Sequence, residues 1–513
     1  MSTEAPVPAP VNRNMITLVV MLAAIMTMLD STIANVALPH MAGSMSASAE
    51  QINWVLTSYI IAAAIMTPVT GWFAGRFGVK HTFLIAIIGF TVASALCGAA
   101  QNLAEIVLFR VAQGMFGAGM MPLSQAVMLD TYPVKERGQA MAIWGMGVTV
   151  GPILGPVLGG WLTDDFSWRW VFYINLPIGA LCVAGVAAFL PANRPTHSRP
   201  LDWVGFLMLA VALAAFQLML DRGQQNDWFS SGETVAEGVV AACALWMFVV
   251  HTVTKRPSFL PLALLRDRNF VTATLVNLSL GVLVFPVMAI LPPMLETLMG
   301  YPVLETGLVT APRGLGSIVS MFVVGRIINR VDPRVLIITG LGIYALSFRA
   351  MSHFALNMDW HAVATTGFVQ GLGTGMVFTP VTVLAFGTLN PSLRPDATGF
   401  FALLRSVGNS AGISLLQATY TRLVQTVHNG LIGRLTPDNP MLRTPEMAGS
   451  MSLSTQAGMM SLNAEATRQA SMVAYVDLYQ LLFLGAVGVM PLILFLRPIG
   501  APPASPPMAA AEH

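Results

Sequence analysis

Few residues of this 513-residue chain are placed to do chemistry, and those few interrupt long apolar runs. Asp30 stands about fifteen residues into a run that begins at Met15, and Arg110 interrupts another, with Gln113 three positions further on. Glu296, Arg313, Gln370 and Arg405 do the same in the second half of the chain. A charged group at membrane depth costs at least about 2.5 kcal/mol unless it is paired or hydrated, so each needs a reason to be there. An acid whose water access or partner alternates can load and release a proton; a structural pair or a helix cap is the other reading of Asp30. Catalysis is not expected. The eight histidines are scattered without a nucleophile–His pairing, and Cys97, Cys182 and Cys243 lie in apolar stretches without metal-ligand spacing. No GxxxxGK[ST] run is present to cradle a nucleotide. The expectation is therefore no catalytic residue, no metal and no cofactor, with a proton gradient as the energy source.

The elements that hold these residues follow from composition. Charged residues are 10% of the chain and hydrophobic residues 55%, against about 25% charged in a soluble protein, so lipid must cover most of the surface. A net charge of +2 gives no reason to expect nucleic acid. Fourteen apolar stretches are long enough to cross a bilayer. They divide the chain into a tail (1–14), six helices (15–190), a linker with two further helices and a loop (191–268), six more helices (269–497, including a long connection at 424–470), and a second tail (498–513). With both tails in the cytoplasm, 16 of the 26 Lys and Arg residues fall on inside connections, as the positive-inside rule requires. Asp30 is then roughly 22 Å from the inner end of helix 1 and Arg110 roughly 10 Å from the outer end of helix 4. In a core about 30 Å thick these depths nearly coincide, which allows a buried pair. Glu296 and Arg313 both fall near the outer mouth, where they can pair locally. Arg349 and Arg405 lie near helix ends and can snorkel to water.

The two sets of six resemble each other in register. Gly71, Arg76 and Lys80 recur as Gly325, Arg330 and Arg334, an offset of 254; Gln113-Gly114 recurs as Gln370-Gly371, an offset of 257. Gly138, Gly147 and Gly151 recur as Gly399, Gly408 and Gly412, an offset of 261. Helices 1–6 thus correspond to helices 9–14, and helices 7 and 8 are an inserted pair. Within helix 5, Gly147, Gly151, Gly155 and Gly159 share one face, beside Gly160, while Pro152 and Pro156 favour a bend. Small residues at this spacing admit a neighbouring helix to near backbone contact. A smooth bent helix between the halves suits rocking; ordinary tight packing uses the same face.

Several runs carry a family resemblance. LDSTIANVALP from Leu29, GWFAGRFGVK from Gly71, RVAQGMFGAG from Arg110, GVTVGPILGPVLGG from Gly147 and WRWVFYINLPIG from Trp168 occur in order, followed by LPPMLETLMGYPVLETGL from Leu291. Together they resemble the EmrB-type exporters among the fourteen-helix drug:proton antiporters of the major facilitator superfamily. The chain departs from the pattern at Gly75, where the family usually has an acid, and at Glu296, where a Gln is common; Arg76, Gly78 and Lys80 remain. The resemblance implies an all-α membrane fold of 6 + 2 + 6 helices and proton-driven export of hydrophobic or amphipathic compounds. It also implies the bacterial inner membrane and work with a periplasmic membrane-fusion adaptor and a TolC-type outer-membrane channel. The long connection at 424–470, broken by Pro437, Pro440 and Pro445, is the expected docking segment. A dedicated exporter of one metabolite or siderophore would share these motifs. In either case the expected roles are coupling for Asp30 and Arg110, and substrate contact or gating for Gln113, Glu296, Arg313, Gln370 and Arg405.

Overall fold

A backbone segment in hydrocarbon has no water to bond, so each apolar run must satisfy its own amides, and a helix does so. The computed structural model describes residues 12–133, 135–191, 200–255, 258–390, 393–435, 453 and 455–497. Helices dominate, and no strand occurs among the described residues. The helices long and apolar enough to cross a membrane are α1 (Arg13–Ser44), α2 (Glu50–Phe77), α3 (Val79–Ala99), α4 (Leu103–Thr131), α5 (Arg137–Asp165) and α6 (Trp170–Phe189). They continue with α7 (Trp203–Arg222), α8 (Gly232–Thr254), α9 (Arg268–Leu298), α10 (Glu305–Ile327), α11 (Pro333–Met351) and α12 (Trp360–Gly387). Helix α13 (Arg394–Ile432) is less apolar, diluted by Arg405, Asn409, Ser410 and Ser414; α14 (Gln456–Phe495) completes the expected fourteen.

The internal repeat reappears as packing. In the first six helices Gly147 of α5 lies against Met21 of α1, and Gly151 against Met28. In the last six, Gly408 of α13 lies against Leu278 of α9, and Gly412 against Val282. Each partner is shifted by about the offset that links its helix to its counterpart. Contacts between the halves obey the same exchange: Gly138 of α5 meets Ile328 just past α10, and Gly399 of α13 meets Thr67 of α2.

This corrects the role expected for the glycine face of α5. Gly147, Gly151, Gly155 and Gly159 pack on α1 inside their own half, against Met21, Met28, Thr32 and Ile33, and Gly160 has open space beside it. The surface of α5 that meets the other half carries Gly138, Gly145 and Ile153, facing Ile328, Met321 and Gly314. Despite Pro152 and Pro156, α5 runs as one helix.

Polar contacts join the halves at the end that carries the α2–α3 turn. There Arg394 Nη1 contacts Asp130 Oδ1 at 2.8 Å, and Asn329 donates to the Lys135 carbonyl at 2.7 Å. Gly71 lets Asp396 of α13 approach α2 so closely that a Cβ would collide with it. Gly78 takes φ +86°, a conformation open to glycine, and separates α2 from α3. Arg76 is exposed, and Lys80 Nζ donates to the Ala187 carbonyl at 2.7 Å. The inserted helix α7 touches both halves at the other end: Thr57 of α2 bonds Asp221, and Ser414 of α13 donates to the Leu220 carbonyl at 2.8 Å.

The connection at 424–470 is less of a loop than expected. Helix α13 continues to Ile432 and α14 starts at Gln456, with His428 Nε2 and Asn463 Oδ1 3.2 Å apart between them. At 39 residues α13 is about 58 Å long, nearly twice the hydrocarbon thickness, so its surplus projects as half of a helical pair. Pro437, Pro440 and Pro445 lie outside the described residues.

Candidate functional site

Asp30 and Arg110 meet. Arg110 Nη1 lies 2.8 Å from Asp30 Oδ2, and their side chains are 1% and 0% exposed respectively. Helix α4 starts at Leu103 behind the N-cap Asn102, whose side chain accepts from the Glu105 amide, and Arg110 is two turns in. Gln113, one turn later on the same face, donates through Nε2 to Asp30 Oδ1 at 2.8 Å and accepts from Arg110 Nη1 at 2.8 Å. Arg110 Nε donates to the Val55 carbonyl at 3.0 Å, and the Tyr59 ring covers the guanidinium at 4.2 Å.

One partner had not been assigned from sequence. Asn175 of α6 is fully buried and donates to Asp30 Oδ1 at 2.9 Å. Its amide also lies 3.0 Å from Ser94 Oγ, and Ser94 donates to the Phe172 carbonyl at 2.9 Å. The signal was present: a lone amide inside the apolar run VFYINLPIG.

Asp30 thus accepts from one cation and two amides in a pocket without exposure. Charge-assisted bonds of this kind are among the strongest a protein makes. Protonating the carboxylate would turn an acceptor into a donor and leave Arg110 without its counter-charge. The network thus joins α1, α4 and α6 through a single buried carboxylate.

The second half holds a different arrangement. Arg313 of α10 and Gln370 of α12 are 9% and 0% exposed. Nε and Nη2 of Arg313 and both polar atoms of Gln370 lack a hydrogen-bond partner among the described residues. The expected pairing of Glu296 with Arg313 does not form: Glu296 belongs to the π-helical turn Met294–Leu298 ending α9, whereas Arg313 packs beside Gly367 of α12. Arg405 also departs from expectation. It lies eleven residues into α13, half-buried, with its guanidinium 5.4 Å from the centre of the Phe378 ring. Phe378 of α12 stacks on Trp144 of α5 at 6.1 Å, so this aromatic step joins the halves. Arg349 reaches Gln480 at an exposed position. Among the described residues no group of three or more His, Cys, Asp or Glu is placed to hold a metal ion.

Two parallel six-helix repeats with a buried ion pair in one of them define a secondary transporter. The chain belongs to the Major Facilitator Superfamily, whose family model matches residues 20–413, and within it to the EmrB-type proteins. It is 34% identical over 490 residues to the multidrug export protein EmrB of Haemophilus influenzae, covering 94% of this chain and 96% of that protein. It is 36% identical to EmrB of Escherichia coli, covering 83% of each, and 36% identical to the fatty acid resistance protein FarB of Neisseria gonorrhoeae, covering 82% and 83%. Among solved structures, the human organic anion transporter MFSD10 superposes with a TM-score of 0.60 at 15% identity, over 93% of this chain and all of that one. The proton:xylose symporter XylE superposes with a TM-score of 0.58 at 14% identity, over 92% of this chain and 94% of that one.

Proposed function

We propose that the chain is a proton-coupled exporter of hydrophobic or amphipathic compounds in the bacterial inner membrane, with both termini in the cytoplasm. The observation that carries this reading is the fully buried Asp30–Arg110–Gln113–Asn175 network, in which one carboxylate ties α1 to α4 and α6. The similarity to the EmrB multidrug export proteins supplies the direction and breadth of transport. Energy comes from the proton gradient, with no cofactor, as a second conformational state binds the proton and the substrate with different affinities. Phe378 and Arg405, both half-buried, offer compounds an aromatic and cationic surface between the halves, backed by the buried Trp144. The test is pH-gradient-driven uptake of a dye and compound panel into everted vesicles. Uptake that ignores the gradient for every compound would remove the reading.

The projecting pair formed by α13 and α14 is the surface proposed to dock a periplasmic adaptor, which in turn would engage an outer-membrane channel of the TolC type. Its support is the helix length in excess of the bilayer and the polar face at His428, Asn463, Glu465 and Arg468. Shortening both helices by equal turns should reduce adaptor capture and efflux together. Undiminished adaptor binding defeats this assignment.

A further inference from the structure

The repeat offsets place the Arg313 cluster against the Asp30 cluster position by position. The offset of 254 that links Gly71 to Gly325 links Tyr59 to Arg313, and 257 links Arg110 to Gly367 and Gln113 to Gln370. The corresponding glycine partners Met28 and Val282, 254 apart, and Met21 and Leu278, 257 apart, place Val284 or Val287 where Asp30 would be, and neither is an acid. The second half therefore keeps the glutamine, moves the cation from α4's counterpart to α2's counterpart, and drops the acid.

A guanidinium does not shed its proton in a protein, so Arg313 remains a buried cation. Among the described residues no carboxylate pairs with it. Its neighbours cannot neutralise it. Tyr344 and Tyr479 lie within its electrostatic reach, but Tyr344 donates to Thr374 Oγ1 at 2.8 Å, and Tyr479 donates to the Met294 sulfur at 3.8 Å. A thioether is a weak acceptor, easily exchanged for a better one. Most of the free groups are donors: two guanidinium nitrogens, Gln370 Nε2 and, after exchange, the Tyr479 hydroxyl, with Gln370 Oε1 as a free acceptor beside them. The neighbouring tyrosines are backed by apolar rings, with Phe348 stacked on Tyr344 at 6.1 Å and Phe354 edge-to-face with Tyr479 at 5.8 Å. Arg313 follows Pro312 just beyond a break at Ala311 and keeps 9% exposure where Asp30 and Arg110 have no more than a trace, so the surroundings reach the molecular surface. Unpaired donors, one uncompensated positive charge and apolar neighbours fit an acceptor that carries one negative charge.

We propose that Arg313 and Gln370 form an anion site in the second repeat, which takes the acidic head group of an amphipathic substrate or a free small anion such as chloride. The first source rests on the exporter reading above. A carboxylate would lie bidentate on the Arg313 fork, with Gln370 Nε2 as a third donor.

The experiment uses the full chain purified in detergent in a chloride-free buffer. Decanoate binding is measured by calorimetry, and chloride is titrated separately while the melting temperature is followed. The head-group source predicts that decanoate binds and that Arg313→Gln weakens it by about ten- to a hundredfold, the range of a charged hydrogen bond. Gln370→Leu should weaken it less, and Arg313→Lys should restore part of the affinity. The free-anion source predicts that chloride raises the melting temperature of the wild-type protein and not of Arg313→Gln. Equal elution profiles and unliganded melting behaviour of Arg313→Lys and wild type separate a lost site from a lost fold. If the wild-type protein binds neither probe, or if the Arg313→Gln and Gln370→Leu variants bind as it does, the proposal is overturned. Gradient-driven dye uptake by the wild-type chain in vesicles is scored independently, so failure of the exporter reading leaves the binding result standing.

Discussion

The two halves share a scaffold and differ in the chemistry built on it. Gly114 in α4 faces the Tyr59 carbonyl, and Gly371 in α12 faces the Arg313 carbonyl, so the same close helix approach recurs at the same repeat position. Around the first contact Asp30, Arg110, Gln113 and Asn175 satisfy one another almost completely, leaving Asn175 Oδ1 unpaired. Around the second, Arg313 and Gln370 are left with orphaned polar atoms. A duplicated bundle can thus fix backbone positions in both copies while substitutions at a few positions decide which half holds a charge-balanced relay and which keeps an unsatisfied cation. Buried polar networks are favourable when complete and costly when partial, so the halves should respond oppositely to loss of polarity.

The largest effect is expected at Asp30. Asp30→Asn keeps the shape and removes the titration, so pH-gradient-driven efflux should fall to background in everted vesicles while expression persists; Asp30→Glu should retain part of the activity. Wild-type pumping by Asp30→Asn under a pH gradient alone would move coupling elsewhere, with Glu296 at the end of α9 and Asp477, an acid within α14, next to test. Arg110→Ala should impair transport and shift its pH optimum. It should also destabilise the protein by about 3–5 kcal/mol, because it strands a buried carboxylate; denaturation in detergent reads the second effect. The smallest and most discriminating comparison pairs two amide removals. Asn175→Leu should lose about 1.5–3 kcal/mol of stability, the worth of a hydrogen bond to a charged group. Gln370→Leu in the unliganded protein should be neutral or slightly stabilising, because it removes an amide with no partner. Equal losses at both positions would mean that the halves are not chemically distinct in this way.

How much was legible follows from what each signal costs. Asp30 and Arg110 were readable because a charge in an apolar run is expensive, and counting residues along two helices brought them to one depth. Asn175 was passed over because a neutral amide is cheaper and disturbs hydropathy less. Depth alone placed Glu296 and Arg313 at the same mouth. It carries no information on facing, and Arg313 turns toward α12 while Glu296 ends α9. The glycine spacing of α5 showed a helix approach without naming the partner, which is α1 rather than the other half. Val424 to Ile432 read as part of a connection because its polar residues break the membrane pattern, yet helix continues there outside the need for an apolar surface. The fourteen-helix architecture itself was legible because lipid imposes one solution on every span.

The length of α13 has a mechanical side. One end of this helix bears on α2 through Gly399 and Thr67, and the other extends beyond the bilayer beside α14. A rigid rod about 58 Å long that tilts by roughly 10° about one end sweeps its tip through about 10 Å. A shift of an ångström or two at the seam between the halves would thus be geared up into a stroke large enough to push or pull whatever grips the tip. The same gearing runs backwards: a load on the projecting end would reach the Gly399 seam as torque, so a partner bound there would set the resistance against which each cycle turns.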